Sequence, residues 1–154
     1  MKVLYEDLLI KFSDSNYNLI IKEKNLPVNK GRIKGKKIAI RRSLTFKEKG
    51  CVLAEELGHH YTTVGNILDQ SDAWNRKQEL QARTWAYDEI LGLESIIKAY
   101  KRGCKNLYEM AEYLEVTERF LTDMLKRYED RYGTCVEYGD YIITFIPSLN
   151  VCLK

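Results

Sequence analysis

The sequence predicts an α+β fold, and three observations carry that prediction. Two short β-rich runs, at residues 17–22 and 37–41, come before any long helix. Two stretches with helical spacing follow, over residues 46–61 and 76–91. The period changes again after residue 134, where Cys135-Val136-Glu137, a Tyr-Gly-Asp turn and residues 141–146 read as a hairpin ended by Pro147. A chain of 154 residues can bury a core of its own. It divides here into a core over residues 1–103 and a helical segment plus hairpin over 104–154, packed on that core.

Element by element, Val3, Leu4, Leu8, Leu9 and Phe12 recur at helical spacing and open the chain with a helix. Residues 17–22 suit a strand, Lys30-Gly31 and Lys34-Gly35 read as turns, and Lys37-Ile38-Ala39-Ile40-Arg41 alternates like a half-buried strand. Thr45 with Glu48 three residues on is a capping box, starting a helix from Phe46 to Tyr61. Residues 62–74 form a polar connection. Asn75 is the cap expected for the second long helix, which Gly92 kinks before helical character resumes to Arg102. Asn106 with Glu109, and Thr117 after a break at Glu115-Val116, open two shorter helices.

Composition excludes several classes. No run approaches the roughly 18 apolar residues of a membrane span, and the start of the chain has no signal-peptide core, so the expected location is the cytoplasm. Cys51, Cys104, Cys135 and Cys152 are scattered without a Cys-x-x-Cys pair. They read as free thiols serving as small apolar residues rather than a cysteine zinc site. Charge is segregated: residues 20–49 hold eleven Lys or Arg against Glu23 and Glu48, whereas residues 106–130 are acidic. The basic run reads either as a solvated strand-and-turn face or as a docking surface for an acidic partner.

The stretch Val52-Leu-Ala-Glu-Glu-Leu-Gly-His-His60 carries the chemistry. It resembles the His-Glu-x-x-His helix of zinc proteases with Glu55 in place of the first histidine. Residues on a helix step by about 100°, so Glu55 and His59 stack within about 40° of each other. Leu53, Ala54, Leu57 and Gly58 cover the opposite, core-facing arc. A catalytic zinc needs three protein donors, an open position and a nearby base. Glu79 is the best third donor, because it heads a stripe through Ala82, Ala86 and Ile90, where a buried carboxylate is costly unless paired or metal-bound. The competing reading is a set of solvated i,i+4 pairs with Glu79 an ordinary first-turn glutamate.

From Cys51 to Asn66 and from Asn75 to Ala86, and more weakly from Asn106 to Thr117, the chain resembles the ImmA/IrrE family of metallopeptidases, in particular the ImmA-like proteins of phages and integrative elements. The resemblance implies a gluzincin-like core with a small N-terminal sheet, an active-site helix pair, a helix-turn-helix-like segment and a C-terminal hairpin. It implies Glu56 as catalytic base and His59 and Glu79 as ligands of one zinc ion. It also implies a zinc-dependent endopeptidase of a mobile element whose substrate is the element's transcriptional repressor. Glu55 departs from the family motif and leaves three readings open. It coordinates as a carboxylate, His60 substitutes for it, or the metal site is weak or absent. The first keeps both the helix face and a ligating atom; a site with two carboxylates also admits manganese or iron. His60 and Tyr61 are nearby candidates for oxyanion stabilisation, and the strand at Lys37–Arg41 is a candidate edge for an extended substrate.

Two rivals remain. One is an antirepressor that binds the repressor without cutting it. The other is a helix-turn-helix regulator built on residues 106–127. The acidic character of that segment, with Glu118 and Asp123 in its second helix, opposes direct nucleic-acid binding.

Overall fold

The computed structural model describes residues 4–13, 16–62 and 72–154. The chain forms two compact units, Met1–Ile90 and Leu91–Lys154. Both mix helices with small sheets, so the fold is α+β. None of the described helices is long and apolar enough to cross a membrane.

In the first unit, helix α1 (Leu4–Phe12) precedes strands β1 (Ile20–Lys24), β2 (Gly31–Lys34) and β3 (Lys37–Arg41). The sheet order is β1-β3-β2, with β1 parallel and β2 antiparallel to β3. Two expectations change here. Gly31 begins a strand rather than a turn. Lys37–Arg41 is the central strand, hydrogen-bonded on both sides, so it offers no free edge; β1 and β2 are the edges. Alternation along β3 buries Ile38 and Ile40 on the inner face of the sheet.

Helix α2 (Phe46–Thr62) begins at the capping box read from the sequence. The Glu48 amide donates to Thr45 Oγ1 at 3.2 Å, and the Thr45 amide donates to Glu48 Oε1 at 3.3 Å. Leu53, Ala54 and Leu57 are wholly buried, and each such leucine contributes about 1.5–3 kcal/mol of hydrophobic stabilisation. Lys49 is also buried. Its Nζ donates to Glu23 Oε1 at 2.8 Å and lies over the Phe46 ring, so the charge is paired rather than stranded.

The connection expected over residues 62–74 falls mostly outside the described residues. Helix α3 (Asp72–Ala86) starts before Asn75, which therefore lies inside the helix and is not its cap. It runs into a π-helical turn (Tyr87–Leu91), and Gly92, at φ +69°, opens helix α4 (Gly92–Arg102). Gly92 thus marks the interruption that its position predicted.

In the second unit, α4 ends on Gly103 in the left-handed region, and α5 (Leu107–Leu114) and α6 (Glu118–Tyr132) follow. Asn106 Oδ1 accepts from the Glu109 amide and Thr117 Oγ1 from the Phe120 amide, as their cap positions predicted. Strands β4 (Cys135–Tyr138) and β5 (Tyr141–Thr144) form the expected hairpin, and β6 (Asn150–Leu153) adds a third antiparallel strand that the sequence reading missed. Val116, Leu121, Met124, Tyr128 and Ile143 are buried in this unit. All four cysteines are free thiols. Cys51 is buried as a small apolar residue, but Cys135 and Cys152 are exposed, so that role does not extend to them.

Candidate active site

The site grows from the crossing of α2 and α3. A β-carbon on Gly58 would collide with the backbone of Ala82, coming 2.8 Å from its carbonyl carbon. Only glycine lets the two helices approach so closely, and Ala82 and Ala86, both fully buried, complete the small-residue seam. The seam fixes which residues meet beside it. His59, next to Gly58, places Nε2 3.2 Å from Oε1 of Glu79, one turn before Ala82 on α3.

That separation suits a hydrogen bond, and it also suits two ligands of one ion. Zinc donors at about 2.0–2.1 Å in a tetrahedron lie about 3.3 Å apart. Glu79 is not buried as its apolar stripe suggested; its side chain is half exposed and gains its partner at the rim of the crossing. It also lines a depression of about 580 Å³ along α3 with Asn75, Arg76, Leu80 and Arg83.

Glu55 sits one turn before His59 on α2, and its Oε1 faces Arg83 Nε at 3.9 Å. Among the described residues, no group of three or more His, Cys, Asp or Glu side chains is placed to hold a metal. The donor chemistry still fits a divalent ion in part: an imidazole and a carboxylate are already adjacent. Glu55, the carboxylate on the same face, is engaged with Arg83.

Glu56 is the carboxylate that the fold encloses. Its side chain lies against Gly31 of β2, where an added β-carbon would come 2.9 Å from Glu56 Oε1. Burial, then the neighbouring charges of Glu55 and Glu79, push its pKa up to about 7. A carboxyl poised near neutrality is suited to accept and return a proton. His60 packs edge-on against Tyr61, with ring centroids 4.7 Å apart, and Tyr61 stacks on Trp85 at 5.1 Å. Phe12 meets both Tyr61 and Trp85, which ties α1 to this end of the helix pair.

The structure thus brings His59 to Glu79 and sets Glu56 within the field of Glu55 and Glu79. Sequence reasoning missed Gly31 and Arg83. An isolated glycine inside a β-rich run is a signal of close backbone approach and could have pointed to the first. Arg83 lies four residues after Glu79 on the same helix face, a weaker signal, because such spacing is common among solvated pairs.

Comparison with known proteins places the chain in a family. Residues 12–126 match the family model described as the IrrE N-terminal-like domain, Peptidase M78. The match covers most of the chain, and the chain belongs to this family. It is a metallopeptidase family, whose chemistry calls for a metal cofactor and a protein substrate. No curated protein and no solved structure matches the chain.

Proposed function

We propose that this member of the Peptidase M78 family is a zinc-dependent endopeptidase with a gluzincin-like site, in which His59, Glu79 and Glu55 hold the ion and Glu56 is the catalytic base. The observation that carries the reading is the His59–Glu79 pair, clamped across the Gly58–Ala82 crossing beside an enclosed carboxylate. When bound, the ion supplies Lewis-acid chemistry at the scissile carbonyl and eases deprotonation of water. Glu55, now facing Arg83, would supply the third donor to a bound ion. A set with two carboxylates also accommodates manganese or iron.

Glu56 takes the proton of the attacking water and delivers it to the leaving amine. Its seat against Gly31 places it at the start of β2, an edge strand whose free backbone groups can pair with an extended peptide. His60 and Tyr61 are auxiliary candidates for oxyanion stabilisation. The substrate proposed is the transcriptional repressor of the mobile element that carries the gene, cleaved in the cytoplasm.

Purified protein incubated with the repressor encoded beside it tests this reading. Wild type should cut the repressor and Glu56→Gln should not. A repressor left intact by wild type supplied with zinc, manganese or iron rules the peptidase out.

A second reading has a specific observation behind it. The Glu55–Arg83 contact, with no three-donor group among the described residues, favours an antirepressor that binds without cutting. Intact repressor bound stoichiometrically by metal-free protein would select it. Direct DNA reading by α5 and α6 is disfavoured, because the exposed Arg119 near the start of α6 is already paired with Asp123 at 3.3 Å.

A further inference from the structure

The outer face of the β1-β3-β2 sheet is cationic on all three strands. The register puts Lys22, Ala39 and Arg32 in one row and Ile20, Lys37 and Lys34 in the next. The four lysines and arginines in those rows are exposed and flank a groove of about 350 Å³ with Ile20, Leu26 and Ala39 among its lining. Among the described residues, no acidic side chain lines the groove. Residues 24–47 contain none at all. Glu23, the acid of β1, points to the opposite face, where it accepts from Lys49 and Tyr5. Lys34 and Lys37 lie directly opposite each other, and like charges so placed destabilise a sheet. The face therefore gains when a partner supplies negative charge.

We infer that this face is a docking site for an acidic protein segment punctuated by aliphatic side chains. The carboxylates meet the lysines and arginines, and the aliphatic groups enter the strip formed by Ile20, Leu26 and Ala39. Nucleic acid fits less well: among the described residues, the groove has no aromatic ring on which bases could stack, and its apolar strip has no use for phosphates. Arg32 and Lys34 belong to β2, whose first residue, Gly31, meets Glu56 on the opposite face of the sheet, so the groove and the candidate active site share an edge strand but lie on different faces. That the docked segment belongs to the substrate rests on the peptidase reading; the docking itself does not.

The test uses the full chain carrying Glu56→Gln and a fluorescent peptide of repeating Glu-Leu-Glu-Ser units. Binding should weaken with salt and fall about tenfold or more in Lys22→Glu/Arg32→Glu, with the milder Lys22→Gln/Arg32→Gln between them. Unchanged thermal unfolding of both variants shows that the fold is intact. No binding, or equal binding by all three proteins, overturns the proposal. Tighter binding of a random DNA duplex through the same cations overturns it in favour of a nucleic-acid surface. Peptide docking by a wild-type protein that hydrolyses nothing supports the docking site while sinking the peptidase reading. With Glu56 restored, repressor cleavage undiminished in Lys22→Glu/Arg32→Glu overturns the substrate as the docked partner.

Discussion

Glu56 should make the metal-free protein less stable as pH rises, and replacing it with glutamine should remove that penalty. Its pKa stands at about 7 instead of 4.5, chiefly because it is enclosed between α2 and Gly31. A carboxyl with a raised native pKa binds its proton more tightly folded than unfolded. Below about pH 4.5 both states are protonated and nothing is lost; between 4.5 and about 7 stability falls; above about 7 the whole cost is present. Each tenfold difference in proton affinity is worth about 1.4 kcal/mol, so this interval sets a ceiling of roughly 3 kcal/mol. Solvent reaching a partly accessible carboxyl lowers the expected cost to about 1–2 kcal/mol. Urea unfolding of chelator-treated wild type and Glu56→Gln, from about pH 4 to about pH 8, measures it. The variant should match wild type at the acid end and exceed it by about 1–2 kcal/mol at the alkaline end. A stability difference that does not change with pH would refute the enclosure of Glu56 as its cause.

Other perturbations reach the rest of the molecule. Gly58→Ala should destabilise by about 1–3 kcal/mol in thermal unfolding, because the clash with Ala82 outweighs the roughly 1 kcal/mol gain in helix propensity. It should also weaken zinc binding in calorimetry by parting His59 from Glu79. Glu23→Gln should cost about 1–3 kcal/mol in urea unfolding at neutral pH by leaving Lys49 short of its partner. The Lys49 hydrogen bond holds the Glu23 carboxyl below its usual range. That stabilisation is present at neutral pH and is lost as acid protonates the native state, so the variant should lose less stability than wild type below about pH 4.5. Thr45→Ala removes the α2 capping box and should cost about 1 kcal/mol by the same unfolding assay.

The helix pair was legible because its signals are local. Thr45 and Glu48 announce the start of α2, and the apolar arc of Leu53, Ala54, Leu57 and Gly58 shows which side is buried, leaving Glu55 and His59 on the other. What failed depended on partners distant in sequence. Lys37–Arg41 alternates as a strand whether it lies at an edge or in the centre, and only pairing with both β1 and β2 makes it central. β6 is four residues after a proline-interrupted segment, too short for a period to declare itself, and its place comes from pairing with β5. The α2 sequence reports the face of Glu55 but not the guanidinium waiting there, because Arg83 arrives on α3. The burial of Glu56 was hidden for the same reason, since it depends on Gly31.

Metal content decides whether α2 and α3 together hold an ion. Protein purified without a histidine tag and supplied with zinc should retain about one ion per chain by elemental analysis. Glu56→Gln should retain the same amount, while His59→Ala and Glu79→Ala should retain little. A wild-type protein that holds no metal, or a His59→Ala variant that holds as much as wild type, would contradict binding by the helix pair.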